Sequence, residues 1–132
     1  HLSIRRQRQM CIRDSVISIR ELMKQQTVDS ATRDLAAFIS SALLAVHDTV
    51  ERTVAPWEKR GYWVKADKFR LEWAWTKQTG EEMLEAAKDE DWGMVAALAA
   101  QVGQRLSGIK VSDNHRMGKP WVGAWEMMHK SE

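Results

Sequence analysis

The chain has 132 residues, of which 44% are hydrophobic, so it is long and apolar enough for one globular domain and unlike a disordered or collagen-like chain. Its longest mostly apolar run, residues 35–46, is too short to span a bilayer, and we expect no membrane partner. Two prolines and seven glycines disfavour a turn-rich all-β protein. These properties predict one all-α domain.

The first 15 residues are expected to be foreign to the protein. The string RRQRQMCIRDS at positions 5–15 resembles, codon by codon, one translated frame of a common transposase-based sequencing adapter, and such segments are set aside before folding arguments begin. The alternative is a basic N-terminal arm for nucleic acid or membrane. The string carries four arginines against one aspartate, so without it the net charge falls from +2 to −1. Residues 16–132 are then the protein's own single helical domain, and its overall charge does not favour nucleic acid.

The cysteine content bears on chemistry and compartment. Cys11 is the single cysteine and lies inside the adapter-like string. Residues 16–132 therefore offer no disulfide, thiolate nucleophile or zinc–thiolate site. Because no signal peptide is visible either, a cytoplasmic location is expected.

Apolar spacing predicts three main helices and two short ones. The predicted ranges are 18–26, 31–54, 62–88, 92–106 and a last short helix that begins near Pro120 and carries Trp121, Trp125 and Met128. Because the loops between the main helices are short, we expect an antiparallel three-helix bundle, with a short N-terminal helix and a short Trp-bearing C-terminal helix.

Helix boundaries follow from capping patterns. Ser18 and Glu21 form a capping-box pattern at the first short helix. Asp29 or Ser30 is expected to cap the first main helix, and Asp91 the third.

Two residues bear on whether the main helices are continuous. Pro56 is predicted to end or restart the first one, because proline lacks a backbone donor. Gly80 follows Thr79 and precedes two glutamates in a second capping-box pattern, which makes a break possible there.

The helix predicted over 62–88 has two apolar faces. The main face, expected to lie in the core, consists of Tyr62, Ala66, Phe69, Trp73, Gly80, Leu84 and Ala87. Val64, Leu71 and Trp75 lie on nearly the opposite side, which implies that both sides of this helix are covered. Two arrangements would cover this second face: Trp121 and Trp125 pack on it within one chain, or the second faces of two chains pack against each other. The arrangement within one chain is favoured, because aromatic residues usually pack in cores. Val64, Leu71, Trp75, Trp121 and Trp125 are therefore the candidate partner-binding residues.

A second candidate surface mixes cations with aromatic rings, as single-stranded nucleic acids require. The candidate residues are Lys59, Arg60, Trp63, Arg70 and Lys77. Tyr62, Phe69 and Trp73 are expected to be buried and unable to stack on bases, so a solvated basic face is the simpler interpretation.

No catalytic or metal site is predicted. The string at residues 81–85, E-E-x-x-E, resembles the first half of the Mg²⁺ site of all-α nucleotide pyrophosphohydrolases, but the matching E-x-x-D helix is missing. Glu126 and His129 form one Glu-x-x-His pair, whereas di-metal bundles need two. The loop at residues 113–116 has the sequence D-N-H-R, whose histidine is a candidate general base, but no motif links it to a nucleophile. We therefore expect a non-enzyme without metal or cofactor.

The sequence favours a small protein–protein interaction or scaffold module that forms a homodimer over a single-stranded nucleic-acid-binding module. A bundle that encloses a small ligand between tryptophans is a third hypothesis. The seven tryptophans discriminate among these possibilities. Exposure of Trp63 favours nucleic acid, whereas exposure of Trp75 or Trp125 favours a protein partner.

Overall fold

The fold consists of five α-helices, and the computed structural model describes residues 3–25, 29–108 and 121–130, with the backbone alone for 128–130. The helices are α1 (Ile4–Lys24), α2 (Ser30–Lys59), α3 (Trp63–Lys88), α4 (Trp92–Arg105) and α5 (Ala124–Lys130). These ranges contain no strand. The all-α prediction is confirmed.

Four of the helices pack in a closed ring. α2 packs against α1 and α3, α3 packs against α4, and α4 returns to α1, while α5 packs on α2. Short connections make successive helices antiparallel. Accordingly, Arg33 near the start of α2 forms an ion pair of 3.2 Å with Glu90, just beyond the end of α3. The three predicted main helices are therefore joined by α1 as a fourth side of the bundle.

α1 is longer than predicted, because it begins at Ile4 rather than at Ser18. Its inner side buries Arg8, Ile12, Ser15, Ile19 and Leu22. The capping box predicted at Ser18 was wrong: Ser18 is buried within the helix, and its hydroxyl has no hydrogen-bond partner among the described residues. About half of α1 is thus formed by the adapter-like string. The foreign origin of residues 1–15 stays a prediction.

The predicted caps of α2 and α4 are confirmed. The Asp29 carboxylate accepts a hydrogen bond of 3.1 Å from the Thr32 amide, and the Thr32 hydroxyl accepts one of 3.4 Å from the Asp29 amide. The Asp91 carboxylate accepts one of 3.1 Å from the Met94 amide at the start of α4. Each carboxylate satisfies a donor that the first helical turn leaves unpaired.

Pro56 does not interrupt α2, which continues to Lys59. Contacts with α3 hold the last turn in place although Pro56 donates no backbone hydrogen bond. The rings of Trp57 and Phe69 meet edge to face with centroids 5.4 Å apart. Tertiary packing therefore outweighs the local preference to end the helix.

Gly80 does not break α3, which runs unbroken from Trp63 to Lys88. A Cβ atom at Gly80 would lie 3.2 Å from the Ser40 carbonyl oxygen and 3.2 Å from Leu44 Cγ. The Ser40 hydroxyl also donates a hydrogen bond of 2.7 Å to the Gly80 carbonyl. The glycine thus allows α2 and α3 to approach closely.

The hydrophobic core lies between the four long helices and is centred on α2. Its largest fully buried side chains are Leu35, Ile39, Leu43, Met83, Val46, Val50, Val54, Val95 and Val102. The end of the bundle that holds the α2–α3 connection is covered less completely, and the candidate site lies there.

Candidate functional site

The α2–α3 hairpin ends in a turn at residues 60–62. Gly61 has a φ of +83°, a left-handed conformation that glycine adopts without steric cost. Lys65 of α3 reaches back over the turn, and its Nζ lies 4.3 Å from the centroid of the Trp57 ring. On the other side of the hairpin the Arg8 guanidinium lies 4.9 Å from the Phe69 ring centroid.

Arg70 joins the two helices below the turn. Its Nη1 and Nη2 donate to Glu58 at 2.7 and 2.8 Å, while Nε and Nη2 donate to Glu51 at 3.0–3.2 Å. The hydrogen bonds from Arg70 hold the pKa of Glu58 below its usual value, and those two carboxylates raise the pKa of Arg70. Such two-bond pairs fix the geometry of both partners. The hairpin is therefore held as one rigid unit.

Four large apolar side chains are exposed at this end of the molecule, and we call them the hairpin surface. They are Tyr62, Trp63, Val64 and Leu71, with exposed fractions of 53%, 58%, 68% and 78%. Val64 and Leu71 are seven residues apart and lie on the same side of α3. Exposed apolar side chains that lie together in this way are often functional, although single ones need no explanation.

Cations surround the hairpin surface. Lys59, Arg60 and Lys68 are exposed, and no salt bridge joins them to a carboxylate within the described ranges. Together with Lys65 they outnumber the exposed Asp67, so the turn carries an excess of positive charge. Residues 61–65 also line a shallow open depression of about 550 Å³.

The predicted partner-binding residues do not all lie together. Val64 and Leu71 are exposed, but Trp75 is half-buried under α4, with the Arg105 guanidinium 5.2 Å from its ring centroid. Trp121 is buried, at 6% exposure.

The predicted intrachain cover of the second α3 face was wrong. α5 packs on α2 instead, because the Asp34 carboxylate accepts hydrogen bonds of 3.0 and 3.2 Å from the backbone amides of Gly123 and Trp125. This attachment holds Trp121 and Trp125 away from Val64 and Leu71.

The candidate nucleic-acid residues also separate. Lys59, Arg60 and Trp63 are exposed at the turn, whereas Arg70 is engaged by two glutamates and Lys77 lies 4.0 Å from Glu81. Trp63 is exposed, while Trp75 and Trp125 are half-buried. By the criterion stated above, the tryptophans thus favour nucleic acid.

Tyr62 was wrongly predicted to lie in the core. The helical period does not apply to it, since α3 begins only at Trp63 and Tyr62 occupies the cap position after Gly61. The glycine was the available signal, because it marks the turn from which the helical spacing must be counted.

Other kinds of site find little support. No described helix is long and apolar enough to cross a membrane. In the described part of the chain no three His, Cys, Asp or Glu side chains group so that they could hold a metal ion. The loop at residues 113–116 and the side chain of His129 lie outside what the structure describes. No family model, curated protein or solved structure matches the chain.

Proposed function

We propose that the protein is a protein–protein interaction module that self-associates through the hairpin surface. The observation that carries this proposal is the joint exposure of Val64 and Leu71 on one side of α3, beside Tyr62 and Trp63. Moving aliphatic side chains out of water lowers the free energy of the complex, and a surface that is already ordered loses little entropy on binding. The Arg70 bridge supplies that rigidity.

The size of the surface sets the expected affinity. A few hundred Å² on each copy is less than a stable dimer usually buries, which is about 800 Å² per partner. We therefore expect self-association with a dissociation constant in the micromolar range or weaker. Tryptophan and tyrosine are favoured at the centres of such interfaces, so most of the binding energy is expected from Trp63 and its neighbours.

Sedimentation equilibrium of the full chain tests this function. Wild-type protein is expected to associate reversibly at concentrations of about 10–100 μM, and Leu71→Glu is expected to abolish association. Met23→Glu is the matched control, because Met23 is also an exposed apolar residue in a helix, at 51%, but lies on α1. A wild-type protein that stays monomeric, or equal effects of the two substitutions, would overturn the proposal.

A second candidate function is the binding of single-stranded nucleic acid at the same turn. It is favoured by the exposure of Trp63 between Arg60 and Lys65, since a base can stack on the open indole face while cations contact phosphates. Val64 and Leu71 have no part in such binding, and Arg70 is already engaged. Nucleic-acid binding therefore accounts for fewer of the exposed apolar residues than self-association does.

Titration of a labelled oligouridine distinguishes the two functions. The full chain is used with the exposed Arg5, Arg6 and Arg13 changed to glutamine, so that the adapter-like string adds no charge. Salt-sensitive binding that Arg60→Glu removes and Lys24→Glu retains would support nucleic acid. Absence of binding at low salt would eliminate this candidate.

A further inference from the structure

α3 carries opposite charge at its two ends. Its beginning and the preceding turn carry an excess of positive charge, because Lys59, Arg60, Lys65 and Lys68 outnumber the exposed Asp67 and Glu72. Its last turns expose Glu81, Glu82 and Glu85, which we call the acidic end. Among the described residues Lys77 lies 4.0 Å from Glu81, and because both side chains are more than half exposed this pair is weak.

The hairpin surface and the acidic end share one side of α3. At 100° per residue Val64, Leu71 and Glu82 fall within a narrow sector of the helix, and all three are exposed. This side of α3 is therefore apolar at Val64 and Leu71, next to the basic turn, and acidic at Glu82, while Trp75 between them is half-buried.

We infer that the occupant of the hairpin surface is a second copy of this chain, with the two α3 helices antiparallel and the acidic end of each facing the basic turn of the other. The inference rests on the proposed self-association and adds its geometry. Glu82 follows Leu71 by 11 residues, about 16 Å along α3, whereas α3 begins eight residues before Leu71, at Trp63, directly after the turn that holds Arg60. A two-fold axis near Leu71 thus brings the two Leu71 side chains together and places the basic turn of each copy towards the acidic end of the other.

This arrangement is self-complementary, as a two-fold interface requires. A parallel pair would instead place basic turn beside basic turn and acidic end beside acidic end. Like charges brought together in this way disfavour an assembly. The charge pattern therefore selects both the partner and its direction.

A charge-swap experiment tests the inference. One variant carries Lys59→Glu and Arg60→Glu, the other carries Glu81→Lys and Glu82→Lys, and both are followed by sedimentation equilibrium. Each variant alone is expected to self-associate at least about tenfold more weakly than wild type, because both contacts of the pair then join like charges. An equimolar mixture is expected to recover the wild-type affinity within about threefold, since both contacts of the mixed pair join opposite charges.

The combined variant with all four substitutions controls for misfolding. It is expected to self-associate as wild type does, because the swap is complete within each copy. Recovery in the mixture and in the combined variant supports the antiparallel pair. If wild type associates and Leu71→Glu prevents it, but the mixture does not recover, the antiparallel assignment is overturned while the proposed function stands. A wild-type protein that never associates overturns both.

Discussion

Arg70 and Glu58 form a two-bond ion pair across the α2–α3 hairpin, with N···O distances of 2.7 and 2.8 Å. The pair lies just below the turn that presents the hairpin surface. It fixes the angle between the end of α2 and the start of α3, and hence the orientation of Trp63 and Val64.

This pair predicts a pH dependence of stability. Arg70 holds the pKa of Glu58 below its ordinary value, so the folded state prefers the charged carboxylate. The contribution of this ion pair to the free energy of unfolding is fully present above the ordinary glutamate pKa, about 4.3. It is lost as the pH falls through the lower pKa that Glu58 has in the folded state. Wild type is therefore expected to be more stable than Glu58→Gln at pH 7, and the difference should vanish in acid.

Chemical denaturation between pH 7 and pH 3 measures that difference. Glu85→Gln is the control, because Glu85 is exposed near the far end of α3 and should show no such trend. A Glu58→Gln variant as stable as wild type at pH 7 would exclude a structural role for the pair.

The close approach of α2 and α3 predicts the effect of Gly80→Ala. Alanine favours a helix over glycine by about 1 kcal/mol, but its Cβ would lie 3.2 Å from the backbone oxygen of Ser40, which has little freedom to move. Overpacking costs about 1–3 kcal/mol, so we expect a net loss of about 1 kcal/mol in the free energy of unfolding. Gly93→Ala in α4, where the nearest atom would be 3.8 Å away, should not destabilise. Equal increases in the free energy of unfolding for Gly80→Ala and Gly93→Ala would show that α2 and α3 can move apart.

The attachment of α5 to α2 predicts the effect of Asp34→Ala. Asp34 accepts two backbone hydrogen bonds, from Gly123 and Trp125, much as an N-cap residue does within its own helix. Its removal is expected to cost about 1 kcal/mol and to speed amide hydrogen exchange in α5. Asp48→Ala, which removes an exposed carboxylate paired with Arg52 on one helix, should change neither. Unchanged exchange in α5 after Asp34→Ala would contradict this role.

The foreign origin of residues 1–15 remains a proposal with two tests. The gene read from its source is expected not to encode the string at positions 5–15. A chain that begins at Val16 should still unfold cooperatively, because Leu35, Leu43 and Met83 pack between the remaining helices, although Phe69 would lose the cover of Arg8. A truncated chain without cooperative unfolding, followed by circular dichroism on heating, would show that the fold requires this segment.

Much of the fold was predictable from local patterns. Asp29 and Asp91 identified two helix starts, since a carboxylate that satisfies free amides is a short-range effect. Apolar spacing also located the ends of α3 and α4 within one or two residues. Pro56 was wrongly predicted to interrupt α2, and the sequence left a break at Gly80 open, because the effects of both residues depend on what another helix places beside them.

The candidate site was predictable only in part, and helix length is the reason. Spacing showed that Val64, Leu71 and Trp75 share a face of α3, but not how far along that face a neighbour reaches. α3 has 26 residues and α4 has 14, so α4 covers about half of α3. Trp75 falls within the covered half, whereas Val64 and Leu71 lie beyond it.

Self-association through the hairpin surface is tested most directly by sedimentation velocity of two valine variants over a concentration series. Val64 and Val122 have nearly equal exposure, 68% and 66%, so Val64→Glu and Val122→Glu make the same change to surface polarity at two places. We predict that the sedimentation coefficient rises with concentration for wild type and for Val122→Glu, and stays at the monomer value for Val64→Glu. Equal behaviour of the two variants would contradict the account.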